Sequence, residues 1–351
     1  MDFRYIVDSH EDVAWNVCAM GRDFTRRVSE WTEDPEMTRK GGQRMVSLPD
    51  LLEARVRLII GTIFVLPEVA ANSEWNEGLK YYRNAAEAYA QGREQIDFYH
   101  TLAAHDRRAQ IIRSATELDN FLANLDSDPD KLGIILSMEG ADPIVEPAQL
   151  GEWVERGLRL IGPAWKQTRY CGGTGMPGPL TPDGFKLLAE MDRLGVILDI
   201  SHMAEETFYQ SLDAYQGTVI ASHSNCRCYV NTDRQLSDDM IKRLIERQAV
   251  IGTVLYNRFL TGGNDATLED AVRHISHICE LAGNTQHVAI GSDFDGGFGS
   301  ESIPQPMRGL QDFPLLTEAL LKNGFSEQDV LNIFHGNWTR KLREGLSRFG
   351  S

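Results

Sequence analysis

The stretch GVILDISHMAEETFYQSLDAYQGTVIASHSN, residues 195–225, decides how the fold is read. An unbroken apolar run ends in His202, an amphipathic segment follows, and a second apolar run ends in His223. Continuous rather than alternating hydrophobicity suits strands buried on both faces, as in a parallel sheet. Parallel neighbours need a crossover connection, and the intervening segment is long enough to be a helix. The unit reads as strand, helix, strand, with a histidine at the C-terminal end of each strand.

Working outward, six more runs of this kind occur: RYIVDSH (4–10), VRLIIGTIFVL (56–66), LGIILSMEG (132–140), GLRLIGPAW (157–165), AVIGTVLYN (249–257) and HVAIGSDFDG (287–296). Helical stretches such as PDGFKLLAEMDRLG and TLEDAVRHISHICELAG lie between them, several closed by the glycine that commonly ends a helix. Eight alternating units predict an α/β protein of the TIM (β/α)8 barrel type, one catalytic domain over residues 1–351. Two insertions interrupt the rhythm. Residues from about 19 to 45 are charged and carry Trp31; residues from about 67 to 118 read as mainly helical. The first insertion is either a lid over the barrel mouth or surface decoration.

Composition narrows the function. A net charge of −16 offers no footprint for nucleic acid or an anionic membrane surface. That acidity is read as solubility, not as the mark of a cationic substrate. Five scattered cysteines, an odd number in a long chain, fit a reducing compartment. No apolar run approaches membrane-spanning length and the first strand begins almost at Met1, so the expectation is a cytoplasmic protein without a membrane partner.

Candidate ligands gather at the strand ends. His10 and Asp12 close the first run, Glu139 the third, His202 the fifth, His223 the sixth and Asp293 the eighth. In a barrel these ends share one mouth, where active sites of this fold are built. Side chains two apart in an extended segment point the same way, so His10 and Asp12 can converge. A single histidine at a strand end is ordinarily a satisfied polar residue. Six such groups over five strand ends form a constellation. Mixed imidazole and carboxylate donors suit Zn2+ or a similar borderline metal, whereas calcium prefers oxygen alone. Six groups exceed one tetrahedral ion and suit two ions sharing a carboxylate.

Taken in order, DSHED, MEG, DISH, SHS and GSDFDG, with SLPDLLEARVRLIIGTIF early and FHGNWTR late, resemble the membrane (renal) dipeptidase family, peptidase family M19 of the amidohydrolase superfamily. Each fragment is weak alone; the ordered set spans almost the whole chain. The resemblance implies a metal-dependent hydrolase barrel with two Zn2+ per chain, bridged by Glu139 and a hydroxide. His10 and Asp12 would hold one ion, His202 and His223 the other. Asp293 would be the acid/base, and Arg234, eleven residues after His223, would bind the substrate's C-terminal carboxylate. That role suits a planar two-pronged donor. A homodimer is likewise the family-based expectation. One departure stands out: the family usually has a histidine at the end of the fourth strand, where RLIGPAWKQT places Trp165, read here as a substrate-contacting pocket wall.

Other residues are set aside. Lys166 is read as structural or surface, because Glu139 already supplies the bridge. Cys226 and Cys228 lack a second cysteine pair and read as loop thiols. His274, His277 and Cys279 lie on a helix outside the barrel, and His100 and His105 read as solvated. Ser201 and Ser224 lack a free histidine base. Glu11 should point away from its neighbours, and Asp295 should shape its loop. His335 and Asn337 are left without a role.

The leading functional reading is a dipeptidase acting on small dipeptides through a hydroxide shared by two zinc ions; that these include dipeptides with a D residue in second position is implied by the family resemblance alone. The alternatives are hydrolysis of another small amide, such as an N-acyl amino acid, for which Trp165 is the motive, and a non-catalytic metal-binding barrel.

Overall fold

The structure, a computed structural model, describes residues 3–32, 35–71 and 78–349. The strands that carry the site are β1 (Ile6–Glu11), β2 (Val56–Phe64), β3 (Leu132–Glu139), β4 (Leu158–Gly162), β5 (Ile197–Asp199), β6 (Val219–Ile220), β7 (Ile251–Thr253) and β8 (Val288–Ile290). Each lies inside one of the eight apolar runs, except that β1 extends one residue past its run, to Glu11. β1 to β6 pair in parallel in that order, β7 pairs with β8, and a parallel bridge between Ala221 and Ile251 joins the two groups.

Side chains knit the remaining seam. The Ser292 N–H donates to the Asp8 carboxylate at 2.9 Å, and the Ser9 hydroxyl reaches the carbonyls of Ile290 (3.0 Å) and Ser222 (2.5 Å). A buried apolar cluster takes Val7, Leu58, Ile60, Ile135, Leu160, Ile197, Ile220 and Ala289 from seven of the strands and Val250 from just ahead of β7, as a sheet curled on itself requires. The interior is tight: a Cβ on Gly252 or Gly291 would fall 1.9 or 2.0 Å from the Ser222 carbonyl oxygen. Only glycine fits there.

The later strands are shorter than their apolar runs. Past β5 and β6 the chain leaves the ladder because the Asp199 carboxylate takes the N–H groups of Ser201 (3.0 Å) and Ser222 (2.9 Å). Side-chain acceptance frees these backbones to turn toward the mouth without orphaned donors. The helix Pro182–Leu194 ends on left-handed Gly195 and the helix Leu268–Ala282 on left-handed Gly283, as the sequence pattern implies.

The opposite end of the barrel is closed by the helix Asn337–Leu346. The Asn337 amide donates to the carbonyls of Thr285 (2.6 Å) and Val288 (2.9 Å), and the Trp338 indole to that of Ile290 (2.7 Å). His335 packs its ring 4.5 Å from Tyr5, just ahead of β1. Both residues therefore serve the floor of the barrel.

The first insertion braces a loop. The N–H groups of Met45 and Val46 donate to the Asp295 carboxylate at 2.8 and 2.9 Å, tying the insertion's end to the loop after β8. None of its described residues lines the cleft at the barrel mouth. In the second insertion the helix Ala85–His105 is joined by a short strand, Ala109–Ile111, that pairs beside β3 and adds to the helical expectation. Gln95 of that helix bonds both backbone groups of Phe64, and the Tyr99 hydroxyl donates to the Thr62 carbonyl at 3.0 Å, steadying the end of β2. His100, expected in solvent, is half-buried against the Arg156 carbonyl, at 2.8 Å. Among the described residues no helix is long and apolar enough to cross a membrane.

Candidate metal centre

The strand ends bring all six candidate ligands to one buried point. His10 sits where the β1–β2 register slips, between Asp8 and Glu11, a bulge that re-aims side chains. Asp12 stands at the N-terminus of the helix Val13–Met20 without capping it, so its carboxylate remains available. His202 and Asp293 have φ of 66° and 63°, the left-handed region that non-glycine residues occupy at a cost. In both cases the turn directs the side chain into the mouth.

One Glu139 oxygen is the hub. The Nε2 atoms of His202 and His223 each lie 3.2 Å from Glu139 Oε1, and that of His10 lies 3.8 Å away. His10 Nε2 also faces Asp12 Oδ2 at 3.8 Å and Asp293 Oδ1 at 3.9 Å. Within this buried cluster His10 Nε2, Asp12 Oδ1 and Glu139 Oε1 have no hydrogen-bond partner. Donors bound to a tetrahedral zinc at 2.0–2.1 Å lie about 3.3 Å apart. The His202, His223 and Glu139 spacings match that figure, and the His10, Asp12 and Asp293 group is slightly wider. These residues fit a cation.

Electrostatics argue the same way. Left to themselves the groups are in conflict. Burial pushes the Glu139 carboxyl well above its usual range and the Asp293 carboxyl up to about 7, with His10 opposing and Asp12 adding to both. Burial also works against a charged His10, yet Glu139, Asp12 and Asp293 outweigh it and lift that imidazole to about 10. Burial, reinforced by Arg234 and His10, holds His202 and His223 well below the usual imidazole range. Their Nε2 atoms stand 3.0 Å apart, an arrangement of two lone pairs that repels unless positive charge lies between them.

Three residues beside the ligands were not singled out from the sequence. His202 Nδ1 bonds Thr174 Oγ1 at 3.0 Å, and His223 Nδ1 bonds Ser222 Oγ at 2.7 Å; Ser222 in turn donates to Asp199. Hydroxyl partners at Nδ1 leave Nε2 with its lone pair toward the hub. The proximity of Asp199 and Ser222 to the two histidines was the available signal. Thr174 comes from the hairpin Cys171–Gly173 and Met176–Leu180, and nothing in its local sequence marks it.

A cleft of about 240 Å3 opens over the hub. One wall is aromatic: Trp15 meets Phe64 at 5.7 Å and Phe64 meets Trp165 at 4.9 Å, so Trp165 does line the pocket. Arg234 is buried in the cleft, donating to the His223 carbonyl at 2.6 Å, with its Nε left without a partner. Lys166, read from sequence as structural or surface, instead lines this cleft half-buried. The expectation missed it because the loop after β4 turns back over the mouth.

The remaining candidates fall elsewhere. Asp295 anchors the insertion described above, and Glu11 faces a separate small cavity beside Asn16 and Arg22. His274 is fixed between the Cys226 N–H (3.0 Å) and the Leu260 carbonyl (3.1 Å). His277 pairs with Asp238 at 2.8 Å, near exposed Cys228 and away from the cleft.

Comparison with known proteins places this arrangement. The sequence signature described as Membrane dipeptidase (Peptidase family M19) matches residues 2–347. An uncharacterized dipeptidase of Schizosaccharomyces pombe is 27% identical over 291 residues, 80% of this chain and 68% of its own length. Dipeptidase 3 of Mus musculus is 27% identical over 262 residues, 72% of this chain and 50% of its own length. The crystal structure of a metallopeptidase from Rhodobacter sphaeroides, liganded with a phosphinate mimic of the dipeptide L-Ala-D-Ala, superposes with a TM-score of 0.80 at 23% identity, covering 98% of this chain and 100% of that one. The probable dipeptidase PvdM from Pseudomonas aeruginosa also gives 0.80, at 20% identity, with 98% and 96% covered. These superpositions agree on the fold, a (β/α)8 barrel. The chain belongs to the membrane dipeptidase family, peptidase family M19, and with it to the metal-dependent hydrolases of peptide bonds.

Proposed function

We propose that this protein is a zinc dipeptidase that holds two ions per chain and cleaves short dipeptides, those with a D residue in second position included. The observation that carries the reading is the hub: three imidazole nitrogens lie 3.2, 3.2 and 3.8 Å from one Glu139 oxygen that has no hydrogen bond. His202 and His223 would hold one ion and His10 and Asp12 the other, with Glu139 common to both. Bound cations of this kind lower the pKa of coordinated water and polarise a carbonyl oxygen.

The chain's own groups account for the rest. Asp293 borders the cleft at the hub, placed to accept a proton from the attacking water and return it to the departing amine. Nearby cations would draw its raised pKa back toward the carboxylate range. Arg234, buried with an unpaired Nε, would take the free carboxylate of the substrate. A dipeptide anchored there presents its single peptide bond to the hub, whereas an internal bond of a longer chain has no carboxylate to offer. Trp15, Phe64 and Trp165 form an apolar wall that excludes water from one side.

The test is metal analysis joined to a stereochemically varied dipeptide panel. About two zinc ions per chain are expected, with turnover lost on chelation and restored by zinc. Clearly less than one ion, with no turnover after reconstitution, would favour the non-catalytic barrel. Turnover of N-acyl amino acids in place of dipeptides would favour the second reading, for which Trp165 is the motive.

A further inference from the structure

We infer that Lys166 makes this cleft selective for dipeptides bearing an acidic side chain. The inference rests on the dipeptidase reading and deepens it by naming the substrate class.

The argument begins with charge. Two cationic side chains line the cleft, Arg234 and Lys166. Its carboxylates, Asp12, Glu139 and Asp293, all belong to the hub. An ordinary dipeptide has one free carboxylate, and Arg234 takes it. Lys166 then remains a cation without an anion. Among the described residues no Asp or Glu pairs with its ammonium, whose recorded contact is the Trp165 ring, 5.8 Å below. A half-buried ammonium beside an aromatic wall gains from a partner that desolvates with it.

Position supports the same reading. Lys166 follows Trp165 directly, in the loop after β4. Across from it, the tip of the hairpin is held because the Gly175 N–H donates to Asp233 Oδ2 at 2.7 Å. A Cβ built on Gly175 would lie 3.8 Å from Lys166 Nζ, so the tip stands beside the ammonium. Asp233 Oδ2 accepts this backbone bond, and among the described residues no ion pair joins Asp233 to Lys166. The ammonium thus stands near both the indole and the hairpin tip, on the lining of the cleft. A carboxylate on the substrate's own side chain supplies the missing partner, as a charge-assisted hydrogen bond at the cleft rim.

The experiment compares matched pairs of dipeptides that differ only in charge, Ala–Glu against Ala–Gln and Glu–Ala against Gln–Ala in their stereoisomers, with the zinc-loaded full chain. In one position the acidic member should exceed its amide by about tenfold in kcat/KM, the range of one charge-assisted bond. Raising the salt concentration should shrink that ratio. In Lys166→Met the ratio should collapse toward one, and in Lys166→Glu the preference should move to lysine-bearing dipeptides. Turnover of neutral dipeptides with acid-to-amide ratios within about twofold at both positions would overturn the inference and leave the dipeptidase reading standing. So would a preference that survives in Lys166→Met. Absence of turnover on every dipeptide sinks both.

Discussion

Replacing Asp293 with asparagine separates chemistry from stability, because the two should move in opposite directions. The substitution keeps shape and volume but removes the proton acceptor at the hub. A positioned acid/base contributes about 10²–10⁴ in rate, so kcat for a good dipeptide should fall by that factor, about 3–5 kcal/mol of transition-state stabilisation. Zinc content should persist, since His10, Asp12, Glu139, His202 and His223 are untouched. Stability of the metal-stripped protein should rise. Burial, opposed by His10 and reinforced by Asp12, lifts the Asp293 carboxyl from 3.8 to about 7. Below pH 3.8 both folded and unfolded chains hold that proton. Between the two values only the folded chain keeps it, so rising pH favours unfolding. Above the folded value the full difference, roughly three pH units or up to about 4 kcal/mol, is lost from the fold. Chemical denaturation of stripped wild type and Asp293→Asn at pH 8 should therefore find the variant more stable, with the gap closing as pH is lowered toward 4. A variant that keeps its rate within a few fold, or that is both slower and less stable when stripped, would refute the reasoning.

Two further outcomes follow from the geometry. Arg234→Ala should lower kcat/KM for free dipeptides by about 10²–10³, because truncation leaves a buried carboxylate unpaired; dipeptides with an amidated C-terminus should lose far less, and equal losses on both would remove the clamp role. Ser222→Ala deletes the hydroxyl on His223 Nδ1 and should weaken zinc binding about 10–100-fold in a chelator competition. Unchanged affinity would mean that the imidazole is oriented by packing alone.

The site works because its parts are held by different elements for separate reasons. Glu139 rides on a fully buried strand, whereas His202 and Asp293 occupy left-handed turns. Asp199 replaces ladder partners at β5 and β6, freeing the backbone to carry the two histidines inward. The first insertion contributes by fastening the loop that bears Asp293, through Asp295, and none of its described residues lines the cleft. An acid two residues from the proposed proton carrier is thereby structural, although the two share a sequence motif.

Much of this protein is written locally. Eight apolar runs separated by amphipathic ones are enough to require parallel strands and crossover helices, since a strand buried on both faces has no polar side to show. The ligand types at the strand ends follow as directly, because the barrel has a single mouth. The uses of Lys166, Thr174 and Asn337 were decided by the closed sheet alone. Lys166 reaches the cleft because its loop folds back over the mouth, and Thr174 reaches His202 from a hairpin formed after β4. Asn337 meets β8 because the last helix returns beneath the barrel floor. Which neighbour a polar side chain finds depends on contacts between segments far apart in sequence, and those come into being only when β8 closes against β1.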